Sequence, residues 1–97
     1  MKTDSIIFNL NDTDTLLNSI INKMNNKHHQ IEIGKVNIQV FSDGETCVNF
    51  ETSMRGKRVY ILTSPNTALK IMQLNFAIDA AKRASAVEII PIVPFFP

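Results

Sequence analysis

Apolar positions recur along this chain with two different periods, and the alternation between them predicts the elements. Ile6-Ile7-Phe8 is a short continuous apolar run, read as a first strand. Leu16, Leu17, Ile20, Ile21 and Met24 follow at spacings of three and four, the stripe of an amphipathic helix. Asn11, Asp12, Thr13 and Asp14 stand ahead of that stripe as candidate caps, and the polar run "NNKHHQ" ends it. Val36, Ile38 and Val40 then alternate with Asn37 and Gln39, and Val48 and Phe50 alternate with Cys47, Asn49 and Glu51. Two period-two runs joined through Asp43-Gly44 predict a β-hairpin around residues 36–51.

Beyond the polar turn Arg55-Gly56-Lys57, "VYILT" (59–63) is nearly all apolar, as expected of a strand buried on both faces. Ser64-Pro65-Asn66-Thr67 breaks it and offers caps for a helix from Leu69 to Ala84. That helix carries apolar residues on several faces, so it is expected to be covered on more than one side, by a sheet and by another subunit. A last strand is expected over 87–93, with Pro91 awkward inside it because proline cannot donate to a ladder. The order is strand, helix, hairpin, strand, helix, strand. It predicts an α/β fold with a mixed, mainly parallel sheet flanked by helices. The chain stops just after a core strand, at "VPFFP", so residues 1–97 are expected to form one incomplete domain.

Composition narrows the function classes. With 10 basic and 9 acidic residues the formal charge is +1, which gives no electrostatic reason to expect nucleic acid or an anionic membrane as partner. Cys47 is alone, excluding an internal disulfide and a multi-cysteine metal cluster. The apolar runs are too short to cross a bilayer, and no signal peptide is recognisable, so a cytoplasmic location is expected. His28 and His29 read as a solvated loop, since neighbouring histidines without a third ligand make a poor metal site.

The stretch "FSDGE" (41–45) carries the most chemistry. Asp-Gly makes a good hairpin turn because glycine tolerates positive φ, and that alone could account for it. Equally, Phe41 offers a flat apolar face while Asp43 and Glu45 offer acceptors, a combination suited to a base with an exocyclic amine such as adenine. The residues themselves leave both readings open.

Taken with "RGKRVYILTS" and "IMQLNFAIDAAKRASAVEIIPIVPFFP", this stretch resembles the N-terminal region of ribose-phosphate pyrophosphokinase, also called phosphoribosyl-pyrophosphate synthetase. The similarity runs over most of residues 33–97, in the family's order and nearly its spacing, and includes Asp79-Ala80-Ala81-Lys82-Arg83-Ala84-Ser85-Ala86 and Ile92-Val93-Pro94-Phe95-Phe96-Pro97. Residues 1–30 match only in pattern. The resemblance implies a phosphoribosyltransferase-like (Rossmann-like) domain. It also implies a magnesium-dependent transfer of pyrophosphate from ATP to ribose 5-phosphate, and a homo-oligomer of two to six subunits. It further implies that the hairpin reaches the ATP of a neighbouring subunit, with Phe41 against the adenine ring, Asp43 and Glu45 hydrogen-bonding it, and Gly44 permitting the turn.

Departures from the family pattern set limits. The segment that holds the ATP phosphates, the magnesium-binding histidine region, the basic catalytic loop and the acidic ribose-phosphate loop would all follow Pro97. No catalytic or metal-binding residue is therefore expected in this chain, and alone it is expected to be inactive. The loop at 63–66 is shorter than usual, and Leu62 replaces the usual glutamine. A non-catalytic module that associates with true synthetases is the alternative reading. A receiver- or flavodoxin-like domain is disfavoured, since Asn9-Leu10-Asn11-Asp12 supplies neither paired acids nor a phosphate loop. Elsewhere the plainer readings prevail. Lys82 and Arg83 complement a helix dipole. Arg55 and Lys57 are solvated, Cys47 has no redox role, and Met72 and Phe76 belong to the core or a subunit interface. Asp79 is either a surface charge or an interface partner.

Overall fold

The computed structural model describes residues 5–10, 15–24, 31–64 and 67–93. The elements run in the order β1 (Ser5–Asn9), α1 (Thr15–Met24), β2 (Ile31–Ile33), β3 (Val36–Val40), β4 (Thr46–Phe50), β5 (Arg58–Leu62), α2 (Ala68–Arg83) and β6 (Glu88–Ile92). Strands β2-β1-β5-β6 form one four-stranded sheet in which each neighbouring pair is parallel. The antiparallel hairpin β3-β4 stands apart as a second, two-stranded sheet, with Val36 opposite Phe50 and Val40 opposite Thr46. The α/β expectation holds. The parallel and antiparallel strands, however, are segregated between two sheets.

Alternation along the central strands divides the core into two faces. Ile6 and Phe8 of β1 with Val59 and Ile61 of β5 point to one side, where Ala77 and Ala81 of α2 and Val36, Ile38, Val48 and Phe50 of the hairpin cover them. Ile7 and Leu62 point to the other, against Leu17, Ile20 and Ile21 of α1. The result is three layers: α1, the parallel sheet, then α2 beside the hairpin. Strand order reverses between β1 and β5, the arrangement that opens a crevice at the carboxyl ends of parallel strands. There Leu10 N–H donates to the Leu62 carbonyl at 2.9 Å.

Strand β2 is absent from the order predicted by the sequence. Three residues, Ile31-Glu32-Ile33, are too few to show a period, and only their pairing with Ser5–Ile7 defines them. Pro91 is accommodated because β6 is an edge strand. Thr63 N–H donates to the Ile92 carbonyl, which by ladder parity turns the Pro91 nitrogen away from β5. The candidate caps Asn11–Asp14, the His28-His29 pair and the terminal Pro94–Pro97 lie outside the described residues. The cap of α2 is Thr67, whose Oγ1 accepts from Lys70 N–H at 3.2 Å.

Among the described residues, two surface ion pairs tie elements together and a third lies within α2. Lys57 Nζ meets Glu32 Oε1 at 2.7 Å, so this lysine is paired and not simply solvated, while Arg55 is exposed. Arg58 Nε donates to Glu88 Oε1 at 2.8 Å across the β5–β6 register, and the hydrogen bonds of the guanidinium with that carboxylate first and with Tyr60 second raise its pKa above the usual arginine value. Arg83 pairs with Asp79 one turn earlier at 2.8 Å, which assigns Asp79 a partner within α2. Such exposed pairs contribute little to stability and chiefly fix orientation.

Two backbone sites give opposite expectations for stability. An ideal Cβ on Gly34 would lie 2.4 Å from Cε1 of Phe8, a ring with no exposed surface. Gly34→Ala must displace that ring, so a loss of about 1–3 kcal/mol is expected in chemical denaturation. Helix α2 ends in a Schellman motif, with Ala86 N–H donating to the Ala81 carbonyl and Ser85 N–H to the Lys82 carbonyl. Ser85 itself occupies the left-handed position at φ 66° that usually takes glycine. Ser85→Gly is therefore expected to gain about 0.5–1 kcal/mol in the same measurement, since relief of that strain exceeds the added freedom of the unfolded chain.

Candidate ligand-binding hairpin

The hairpin is anchored at its base and exposed at its tip. At the base, Glu51 N–H donates to the Lys35 carbonyl at 2.8 Å, and Lys35 N–H donates to Thr52 Oγ1 at 2.9 Å. Val36, Ile38, Val48 and Phe50 turn inward, and Phe50 meets Phe8 edge-on with ring centroids 4.5 Å apart at 60°. Such a pair contributes about 0.5–1.5 kcal/mol beyond its buried area. The opposite face of the ribbon carries Asn37, Gln39, Phe41, Glu45, Cys47 and Asn49 by the same alternation.

The tip is a three-residue loop. Phe41 N–H donates to the Glu45 carbonyl at 2.7 Å, and Gly44 N–H returns to the Phe41 carbonyl at 2.9 Å. This is a tight turn followed by a left-handed residue, and Gly44 supplies the φ of 89° that a side chain would resist. Phe41 and Glu45 close the ladder directly opposite one another, so their side chains leave the same face with Cβ atoms about 5 Å apart. Phe41 is 50% exposed, an unusual state for a phenylalanine, and it lies outside the core formed by the described residues.

Asp43 sits differently. Its Oδ1 accepts Glu45 N–H at 3.1 Å, so part of this carboxylate is occupied inside the turn. Asp43, Gly44, Glu45 and Thr46 also form one wall of a shallow groove of about 350 Å³, whose other wall is Met72 and Phe76 of α2. Both residues are close to half exposed, 46% and 44%, so neither is core in this chain. Leu69 and Ile71 are exposed on the same helix. The face α2 buries is instead Gln73, Ala77 and Ala81. Sequence reasoning thus placed Phe41, Asp43 and Glu45 at one turn but missed Thr46, Met72 and Phe76 beside the acids. The i, i+4 spacing of Met72 and Phe76 was the available signal, and it does not say what the helix faces.

Cys47 is a free, half-buried thiol on the hairpin's outer face. Among the described residues, no three acidic, histidine or cysteine side chains converge to hold a metal ion. No described helix is long and apolar enough to cross a membrane.

Comparison with known proteins agrees with this architecture. A family model described as the N-terminal domain of ribose phosphate pyrophosphokinase matches residues 5–97. The ribose-phosphate pyrophosphokinase of Mycoplasma genitalium is 41% identical over 93 residues, which cover 94% of this chain and 26% of that protein. That of Staphylococcus haemolyticus is 39% identical over 92 residues, covering 93% and 27%. The chain therefore spans about a quarter of the length of these curated relatives. Among solved structures, a phosphoribosylpyrophosphate synthetase from Mycobacterium smegmatis superposes with a TM-score of 0.81 at 26% identity, covering 98% of this chain and 31% of that one. A hypoxanthine phosphoribosyltransferase from Staphylococcus aureus shares the fold with a TM-score of 0.61 at 14% identity, over 95% of this chain and 51% of that one. The three-layer fold, its detached hairpin and these similarities together establish that the chain belongs to the ribose-phosphate pyrophosphokinase family, as its N-terminal domain.

Proposed function

We propose that this chain serves, within an intact ribose-phosphate pyrophosphokinase, to complete the nucleotide site of a neighbouring subunit. The intact enzyme transfers pyrophosphate from ATP to ribose 5-phosphate, giving 5-phosphoribosyl 1-pyrophosphate for nucleotide synthesis. The observation that carries the reading is the outward pairing of Phe41 and Glu45 on a ribbon whose other face is held in the chain's own core. An aromatic plane beside a carboxylate acceptor suits a purine bearing an exocyclic amine. Phe41 is half exposed and outside the chain's described core, which supports a base held by another copy. The exposed apolar residues of α2, Leu69, Ile71, Met72 and Phe76, add support for a homo-oligomer.

The same reading limits what this chain does. Phosphoryl transfer runs on positioning and on cations against developing charge. No described set of side chains here fits magnesium, so no step of the reaction is assigned to a metal held by this domain. Its part is binding and orientation of the base, and in isolation it is inactive and binds ATP weakly. A non-catalytic assembly module would gain nothing from an exposed Phe41–Glu45 pair unless it too completed a partner's site.

The test is kinetic and uses the intact protein. Phe41→Ala is expected to raise the KM for ATP at least about fivefold through lost base stacking, while the KM for ribose 5-phosphate stays put. Equal effects on both substrates would contradict the adenine assignment.

A further inference from the structure

A single side chain closes the hairpin at its base, where the ribbon leaves the body of the domain. The β3–β4 register, continued one step below Val36 and Phe50, sets Lys35 opposite Glu51. By the alternation of the ladder these two would exchange a pair of backbone bonds. One of the two forms, from Glu51 N–H to the Lys35 carbonyl at 2.8 Å. The other is rerouted. Lys35 N–H goes past the Glu51 carbonyl to Oγ1 of Thr52 at 2.9 Å, where the chain bends on its way to Met54, a core residue 2% exposed.

Two consecutive amides at the entry to the ribbon are thereby held from different elements. Gly34 N–H donates to the Ile7 carbonyl of the central strand at 2.9 Å, and Lys35 N–H donates to the segment that leaves β4. Hydrogen bonds are directional, whereas the apolar packing along the ribbon's inner face is not. That packing also stops short of the tip, since Val40, on the inner face by alternation, is 52% exposed. At about 3.3 Å per residue Phe41 stands about 20 Å from Lys35, so a tilt of about 5° at the base carries the tip roughly 2 Å, more than a hydrogen bond to a ligand tolerates. Threonine suits the base because its branched side chain has few rotamers and its hydroxyl accepts.

We infer that Thr52 is a positioning residue: its hydroxyl locks the angle at which the ribbon leaves the sheet, and so sets where the tip meets the nucleotide of a neighbouring subunit. The inference rests on the adenine reading proposed above, but it assigns work to the base of the ribbon and adds no ligand contact. Thr52 touches no substrate. It acts through Lys35 N–H.

Two substitutions in the intact enzyme separate the hydroxyl from the shape. Thr52→Val keeps the branched outline and loses the acceptor, while Thr52→Ser keeps the acceptor and loses the methyl group. Thr52→Val is expected to raise the KM for ATP roughly 3- to 10-fold, the effect of one lost hydrogen bond, without moving the KM for ribose 5-phosphate. Thr52→Ser is expected to stay within about twofold of the parent for both. Equal effects of the two variants, or a parallel rise in both KM values, would overturn the inference.

Hydrogen exchange supplies a readout independent of activity. Protection of the Lys35 amide is expected to fall about tenfold in Thr52→Val and to persist in Thr52→Ser, while the slowest amides of β1 and β5, which report global opening, stay unchanged. A matching fall in those core amides would reduce Thr52 to a contributor to overall stability and overturn its positioning role. Loss of Lys35 protection with an unmoved KM for ATP would leave the bond real but the aim of the tip independent of it, which also overturns the inference while the adenine reading stands. If Phe41→Ala left ATP kinetics untouched, the adenine reading itself would fall and the positioning role with it.

Discussion

Contact between Phe8 and Phe50 joins the two sheets, and most of the architecture depends on it. Phe8 lies on the central strand with no exposed surface, and its ring must emerge under the hairpin for Phe50 to meet it edge-on. That space exists because residue 34 has no side chain. The hairpin's other inner residues, Val36, Ile38 and Val48, pack on the same apolar ground, which Ile6, Val59 and Ile61 extend. A two-stranded ribbon is marginal in water by itself, so its order derives from that docking.

A docked base and a free tip are what a binding hairpin needs. Rigid elements position a ligand-contacting group more sharply than a loop does, and here the register of β3 with β4 continues unbroken up to the Phe41–Glu45 pair. Only then does the ladder change. Gly44 turns the chain, Asp43 satisfies the amide that the turn strands, and the Glu45 side chain is left directed outward next to a ring. Each step follows from a backbone hydrogen-bonding requirement, so the shape of the tip is set within the chain itself and would leave a ligand little to order.

Much of this was legible in the sequence, for physical reasons that differ by element. The hairpin could be read because a period of two survives on both strands and Asp-Gly marks the turn. Strand β5 could be read from its continuous apolar run, since both faces are covered. The placement of β2 could not, because three residues carry no period and their partners lie far off in sequence. Nor could the separation of the hairpin from the main sheet, which depends on a volume match between Phe8, Gly34 and Phe50 that no periodicity encodes. At the site, residue types picked out Phe41, Asp43 and Glu45 together. Only the hydrogen-bond geometry shows that Asp43 is engaged with the turn's own backbone. The expectation that α2 is covered on several sides was half right within this chain: Ala77 and Ala81 are buried, while Met72 and Phe76 are not.

Parallel α/β sheets usually bind ligands at the carboxyl ends of their strands, here near Leu10 and Thr63. The hairpin offers a second location, because the connection from β2 to β5 is diverted onto the α2 side of the sheet before it returns to Arg58. A domain organised in this way can serve two sites at once. The crevice at the strand ends is available to a ligand of the same subunit, and the outward tip of the ribbon to one held elsewhere. Under the function proposed above, a tip with no opposite surface leaves Phe41 half exposed to water, as it is in this chain. The exposed apolar stripe of α2, adjoining the tip across one shallow groove, puts the surface suited to association beside the side chains suited to the base. On that proposal, association and base recognition would draw on one continuous face, because Glu45 and Thr46 share a groove with Met72 and Phe76.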